Sequence, residues 1–116
     1  MNRILLILSV LISLSLSAQT SEKYNSEYEN FYRAEELFEK EQFGAARREF
    51  RVFLDGFERP EDPMYIKALY YEALSAIELY NNDAVSLLKS FNKNYPESIY
   101  RNNINFRLGK FYYYKK

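Results

Sequence analysis

After position 26, apolar side chains recur along the chain at steps of three and four residues, the spacing of an amphipathic helix. The third of five such segments has the clearest period. Its apolar positions are Ile66, Leu69, Tyr70, Ala73, Ala76, Ile77 and Tyr80. No stretch sustains the two-residue alternation that predicts a strand. We therefore predict an all-α fold in which short loops place neighbouring helices antiparallel.

Residues of special backbone preference mark where the first two helices begin and end. Ser26, followed three residues later by Glu29, has the spacing of a capping box and predicts the first helix start. That helix should end near Gln42, and the second should begin around Phe43. Gly56 and a following run with two prolines stop the second helix, because two prolines three apart cannot both lie inside a helix.

The later segments are bounded in the same way. Asp83 closes an Asn-Asn-Asp turn and is expected to cap the fourth helix. Pro96 ends that helix, and a fifth helix is expected after Ser98.

The apolar positions repeat along the chain. The second and fourth helices superimpose at a shift of 38 residues, and the first and third at 39. The matched pairs are Ala46 with Ala84, Phe50 with Leu88, Phe53 with Phe91, Phe57 with Tyr95, Ala34 with Ala73, Leu37 with Ala76, and Phe38 with Ile77. The third and fifth helices match at 36, through Tyr70 with Phe106, Ala73 with Gly109, and Ala76 with Tyr112. A helix pair recurring at this period indicates an α-solenoid.

Three short motifs resemble the tetratricopeptide repeat (TPR), and in particular its envelope-type members. These are Leu108-Gly109-x-x-Tyr112, Phe43-x-x-Ala46-x-x-x-Phe50, and the turn "NYPES" at 94–98. The resemblance covers residues 27–116. It implies one repeat at 27–59, a second at 64–95, and the first helix of a third at 98–116. The close approach of two helix backbones is expected at five small residues, which are Ala34, Ala46, Ala73, Ala84 and Gly109.

The sequence differs from the usual TPR pattern at several positions. Arg33-Ala34 and Glu72-Ala73 stand where Leu-Gly is usual, and the period exceeds the usual length of the repeat. A single irregular helical bundle is the alternative. The aromatic helix at 98–116 has no partner in the sequence, so we expect the chain to be the amino-terminal part of a longer repeat protein. Alternatively, this helix is itself the terminal cap.

The first 18 residues have the pattern of a secretory signal peptide, with Arg3, an apolar run at 4–17 and then Ala18-Gln19. Cleavage is expected after Ser17 or Ala18, which leaves a polar leader at 19–26. The apolar run is shorter than the roughly 20 residues of a spanning helix. An uncleaved anchor that tethers the protein to a membrane is the alternative.

The composition argues against several classes of function. The chain has 16 basic and 16 acidic residues, which gives no signal for nucleic acid. It has no histidine and no cysteine, so the usual zinc ligands and the commonest general base are missing. We expect no enzyme activity, no cofactor and no metal. Arg47, Arg48 and Arg51 are expected to form a solvated basic edge.

In the resembled family, the first helix of each repeat lines a concave surface that holds a peptide or helix of another protein. Carried over to this chain, the partner-binding positions are Phe31, Glu35, Glu39, Tyr70, Leu74, Glu78, Phe106, Lys110 and Tyr114. The alternative is that the rings among them pack between repeats. Exposed rings flanked by charge suit peptide capture, because a ring gives large contact area at little entropic cost.

The sequence thus predicts an exported, non-enzymatic scaffold that binds another protein. The resemblance implies the cell envelope, in the periplasm or on the inner side of the outer membrane. The alternatives are a docking arm of a larger envelope enzyme, a membrane-tethered scaffold, and a structural protein that self-associates through the final helix.

Overall fold

The computed structural model describes residues 27–115, and all regular secondary structure within them is helical. Five helices follow one another: α1 at 27–39, α2 at Phe43–Gly56, α3 at Pro63–Glu78, α4 at Ala84–Asn94 and α5 at Arg101–Lys115. The all-α prediction is therefore confirmed. The signal peptide, the leader and the Ser26 cap lie outside the described residues. Within 27–115, no helix is both long and apolar enough to cross a membrane.

Contacts between rings establish that α1 and α2 run antiparallel. The rings of Phe31 and Phe53 lie with centroids 5.5 Å apart, and those of Phe38 and Phe43 lie 5.3 Å apart. Residues early in α1 thus meet residues late in α2. The same reversal relates α3 to α4, because Tyr70 contacts Phe91 near the far end of the hairpin.

The first core lies between α1 and α2, with α3 closing one side. Phe31, Ala34, Ala46 and Phe50 are almost completely buried. The alanines leave room for the rings, which meet edge to face, as Phe31 and Phe50 do at 5.9 Å. Burial of one such ring stabilises the fold by about 1.5–3 kcal/mol, and each ring pair adds about 0.5–1.5 kcal/mol.

The second core repeats this arrangement between α3 and α4. Ala73 and Ala84 are buried, as are Leu88 and Phe91, and Ile104 of α5 completes the cluster. The burial expected of the four repeated alanines is therefore confirmed. The expectation for Gly109 is wrong: a Cβ built there would meet no heavy atom within 4 Å, because no described helix covers that side of α5.

Helix α3 is the central element, since its middle is buried on every side. Six consecutive residues, from Glu72 to Ile77, are buried. Two of them, Glu72 and Ser75, are polar, and both have hydrogen-bond partners. The Ser75 hydroxyl donates to the Tyr71 carbonyl at 2.8 Å, and Glu72 receives arginine side chains from α2.

The first helix of each hairpin ends in the same backbone conformation. Glu41 and Tyr80, 39 residues apart, both adopt left-handed backbone angles, with φ of 58° and 55°. The residue after each of them closes the helix end with a backbone hydrogen bond. The Gln42 amide donates to the Leu37 carbonyl at 2.9 Å, and the Asn81 amide donates to the Ala76 carbonyl at 3.0 Å. These bonds form a Schellman motif at each helix end, so the repeat in sequence is also a repeat in backbone conformation.

The helix starts lie close to those expected, but the cap of α4 differs. Asp62 caps α3 through a 2.8 Å bond from the Met64 amide, and Pro63 takes the first helical position, which needs no amide donor. Asp83 precedes α4, but its side chain makes no capping hydrogen bond. The expectation that Asp83 caps α4 with its side chain is therefore wrong, because that carboxylate binds Arg47 instead.

A left-handed non-glycine residue carries a conformational cost of about 1–2 kcal/mol. Glu41 is exposed, so Glu41→Gly should raise the free energy of unfolding by about 1 kcal/mol, measured by urea denaturation. Arg48→Gly, at an exposed position inside α2, is the matched control. It should lower the same quantity by about 1 kcal/mol. Equal losses in both variants would contradict the assignment of strain to Glu41.

Candidate interaction surface

A mostly buried arginine, Arg47, joins α2, α3 and the turn before α4. The Arg47 side chain is 11% exposed, and its Nε donates to Glu72 Oε1 at 3.0 Å. Its terminal nitrogens donate to Asn81 Oδ1 at 2.6 Å and to the Asp83 carboxylate. Arg51 reaches the same Glu72 oxygen at 3.2 Å. The planar guanidinium thus satisfies three acceptors from two later segments of the chain.

The positive charge of Arg47 is stabilised by the neighbouring carboxylates. Desolvation opposes the positive charge of Arg47, but hydrogen bonds to Asp83 and Glu72 outweigh it and raise the guanidinium pKa. The hydrogen bond from Arg47 lowers the pKa of Asp83. The expectation of a solvated basic edge is therefore wrong for Arg47, which holds the two hairpins in register. Sequence periodicity gives no sign of this role, because the three acceptors lie 25, 34 and 36 residues away.

A groove runs across α1, α3 and α5. One section, of ≈ 760 Å³, lies over Phe38 and Tyr71 and continues past Glu78. A second section, of ≈ 310 Å³, shares Glu78 and Arg107 with the first and extends to Tyr114. The two sections together are called the groove below.

Charge is distributed unequally along the groove. Its α1 end carries Glu35, Glu39 and Glu41, of which Glu35 pairs with Lys67 at 3.0 Å. Its α5 end carries three basic side chains, of which Arg107 pairs with Glu78 of α3. The basic side chains are Arg107, Lys110 and Lys115. The groove is therefore acidic at one end and basic at the other, with aromatic rings between.

The ion pair at Lys67 also fixes the floor of the groove. The hydrogen bond with Glu35 raises the pKa of Lys67, so the ammonium stays charged. The same nitrogen lies 5.9 Å from the centre of the Tyr71 ring and 5.7 Å from that of Phe31. Lys67 thus links α1 to α3 by charge and by contact with rings.

Five of the nine residues expected to bind a partner line this groove. They are Glu35, Glu39, Glu78, Lys110 and Tyr114. Three others are buried in the cores: Phe31 at 1% exposure, Tyr70 at 5% and Leu74 at 4%. Phe31 packs on Phe50 and Phe53 of α2, and the Tyr70 ring stacks on Tyr100 at 4.1 Å. In this structure these three side chains pack the hairpins and present no surface to a partner.

Phe106 stands apart from both groups. It is 66% exposed, and it lies outside the groove. Its equivalents in the repeat, Phe31 and Tyr70, each face the helix that follows in the chain. Position in the repeat therefore places Phe106 on the hairpin face of α5, and its exposure there reflects the lack of a covering helix within residues 27–115.

Within residues 27–115, no three acidic side chains are grouped so as to hold a metal ion. Comparisons of the chain with protein-family models, with curated proteins and with solved structures give no match. The interpretation of the surface consequently depends on its geometry and charge.

The lowered pKa of Asp83 makes its contribution depend on pH. As the pH falls, the Asp83 carboxylate is protonated at a higher pH in the unfolded chain than in the folded protein. The stabilisation is therefore complete above about pH 4 and is lost as the pH falls through the folded-state pKa. Asp83→Asn should lower the free energy of unfolding at pH 7 by at most about 1 kcal/mol, because Asp83 is 44% exposed and solvent screens its pair with Arg47. The difference from the parent should shrink as the pH falls below about 4.

Asp55→Asn, an exposed change on α2, is the control and should alter stability by less than about 0.5 kcal/mol at either pH. Urea denaturation at pH 7 and pH 3 measures both variants. An Asp83→Asn deficit of the same size at the two pH values would show that the carboxylate charge is irrelevant to the cluster.

Proposed function

We propose that this protein is an exported, non-enzymatic scaffold of the TPR type, which binds a segment of another protein of the cell envelope in its groove. The observation that carries the proposal is the groove itself: one continuous surface collects side chains from α1, α3 and α5. Open grooves that combine aromatic floors with charged rims are suited to extended peptides or helices. The repeated hairpins and their identical Schellman ends support the repeat architecture.

The charge of the groove specifies the ligand further. Glu39 and Glu41 have no ion pair among the described residues, so the α1 end has negative charge to offer. At the α5 end, Lys110 is likewise without an ion pair in the described part of the chain. We propose that the bound segment carries basic residues toward α1 and acidic residues toward α5. Such opposed charges set the direction of the segment as well as its affinity.

Site-specific photo-crosslinking tests the proposal. A photoreactive amino acid placed at Glu39 should give a discrete adduct in cells that express the full chain. The same residue placed at Arg48, on the exposed side of α2, should not. Glu41→Lys should reduce the adduct at position 39 several-fold, because it places a positive charge against the basic part of the ligand. Identical adducts from positions 39 and 48 would reject the groove as the binding surface.

Export is supported by the pattern of residues 1–18 and by the resemblance alone. Mass spectrometry of the mature protein tests it directly. We expect an amino terminus at Ala18 or Gln19, as signal cleavage requires. Recovery of the uncleaved chain from the membrane fraction would favour the tethered form and would leave the groove proposal unaffected.

A further inference from the structure

Three aromatic rings from three helices meet at the α1 end of the groove. Phe38 of α1 lies edge to face with Phe43 of α2, at 5.3 Å between centroids, and with Tyr71 of α3, at 4.8 Å. All three residues are half-buried, and all three line the section of ≈ 760 Å³. Part of each ring is therefore accessible from the groove. We call these three residues the ring cluster.

The charge around the ring cluster is unbalanced. Both basic side chains of this section are already paired with carboxylates. The pairs are Lys67 with Glu35 and Arg107 with Glu78. Two further carboxylates of the section, those of Glu39 and Glu41, are exposed and have no ion pair among residues 27–115. A ligand cation that reaches the ring cluster therefore meets negative charge that the described part of the chain leaves uncompensated.

Elsewhere in the same chain, a ring and a carboxylate together hold a cation. The guanidinium carbon of Arg59 lies 4.2 Å from the centre of the Phe57 ring, and this side chain donates to Glu27 at 2.6 Å. Lys67 also has a carboxylate partner, but its nitrogen lies 5.9 Å from the centre of the Tyr71 ring. A planar guanidinium stacks on a ring face, whereas an ammonium is more strongly hydrated. A ring combined with a carboxylate therefore favours arginine over lysine.

We propose that the ring cluster, together with Glu39 and Glu41, binds an arginine side chain of the partner segment. A guanidinium has five N–H donors in one plane, so its face can contact a ring while its edge donates to carboxylates. The inference rests on the proposed function of the groove, and it names the side chain that the α1 end recognises. An arginine seated there would also fix the position of the segment along the groove.

The probe is Nα-acetyl-arginine amide, added to the purified full chain and followed by NMR shifts of backbone amides. We expect saturable shifts centred on Phe43 and Tyr71. The lysine derivative should bind at least about threefold more weakly, because its ammonium does not stack. The citrulline derivative, which has a similar shape without the charge, should give no saturable shift at the same concentrations.

Two variants separate binding from folding. Glu41→Gly, which should make the protein more stable, should nevertheless weaken arginine binding about threefold, because it removes one carboxylate. Phe43→Leu keeps an apolar side chain at a half-buried position and removes a ring, so it should weaken binding by about the same factor. Asp55→Asn, on the exposed side of α2 and outside the groove, is the matched control and should leave binding unchanged.

Several outcomes would overturn the inference. Equal binding of the arginine and lysine derivatives would show a general cation surface, and binding that neither Glu41→Gly nor Phe43→Leu weakens would place the arginine elsewhere. Photo-crosslinking at position 39 separates this inference from the proposed function. An adduct there, with no binding of the arginine derivative, would reject the arginine site and keep the groove. Arginine binding without an adduct would keep the site and reject the scaffold proposal.

Discussion

The architecture depends on one contact, in which aromatic rings pack over a buried alanine on the facing helix. Ala46 and Ala84 are completely buried, and each allows the backbone of its helix to approach the helix before it. Rings such as Phe31 then fill the remaining space edge to face. A larger residue at either alanine would separate the helices and expose the rings. The small side chain and the rings opposite it are therefore a single unit of stability.

The contact between the two hairpins requires that buried polar groups be paired across it. Where the hairpins meet, α3 is buried on every side, so its polar residue Glu72 must be satisfied from within the protein. Arg47 meets that need, and it also binds the turn before α4. A buried carboxylate with well-placed arginine partners fixes one relative position of the hairpins, because any slippage would leave its charge unpaired.

The groove follows from the way the helices pack. Side chains of α1, α3 and α5 line one side of the molecule and form the groove, whose charge changes sign from one end to the other. Within residues 27–115 no helix covers the side of α5 that carries Phe106 and Tyr113, and both rings are exposed there. The groove would select a ligand mainly by charge.

Local periodicity was sufficient to predict the all-α class, the helix bounds within a few residues, and the buried alanines. These features depend on neighbours a few residues apart, which the sequence shows directly. Helix capping was harder to predict. Asp62 and Asp83 both precede a helix, yet only the Asp62 side chain caps one, because the Asp83 carboxylate binds Arg47.

The sequence by itself determined where helices form and which of their faces are apolar. Only the tertiary structure decided that Arg47 is mostly buried, and that Phe31 and Tyr70 pack inside while Glu39 faces the groove. It also decided that no helix within residues 27–115 covers Gly109. The physical reason is that each of these states depends on which distant segment lies against the residue. Periodicity identifies an apolar face, but it does not identify the helix that covers it.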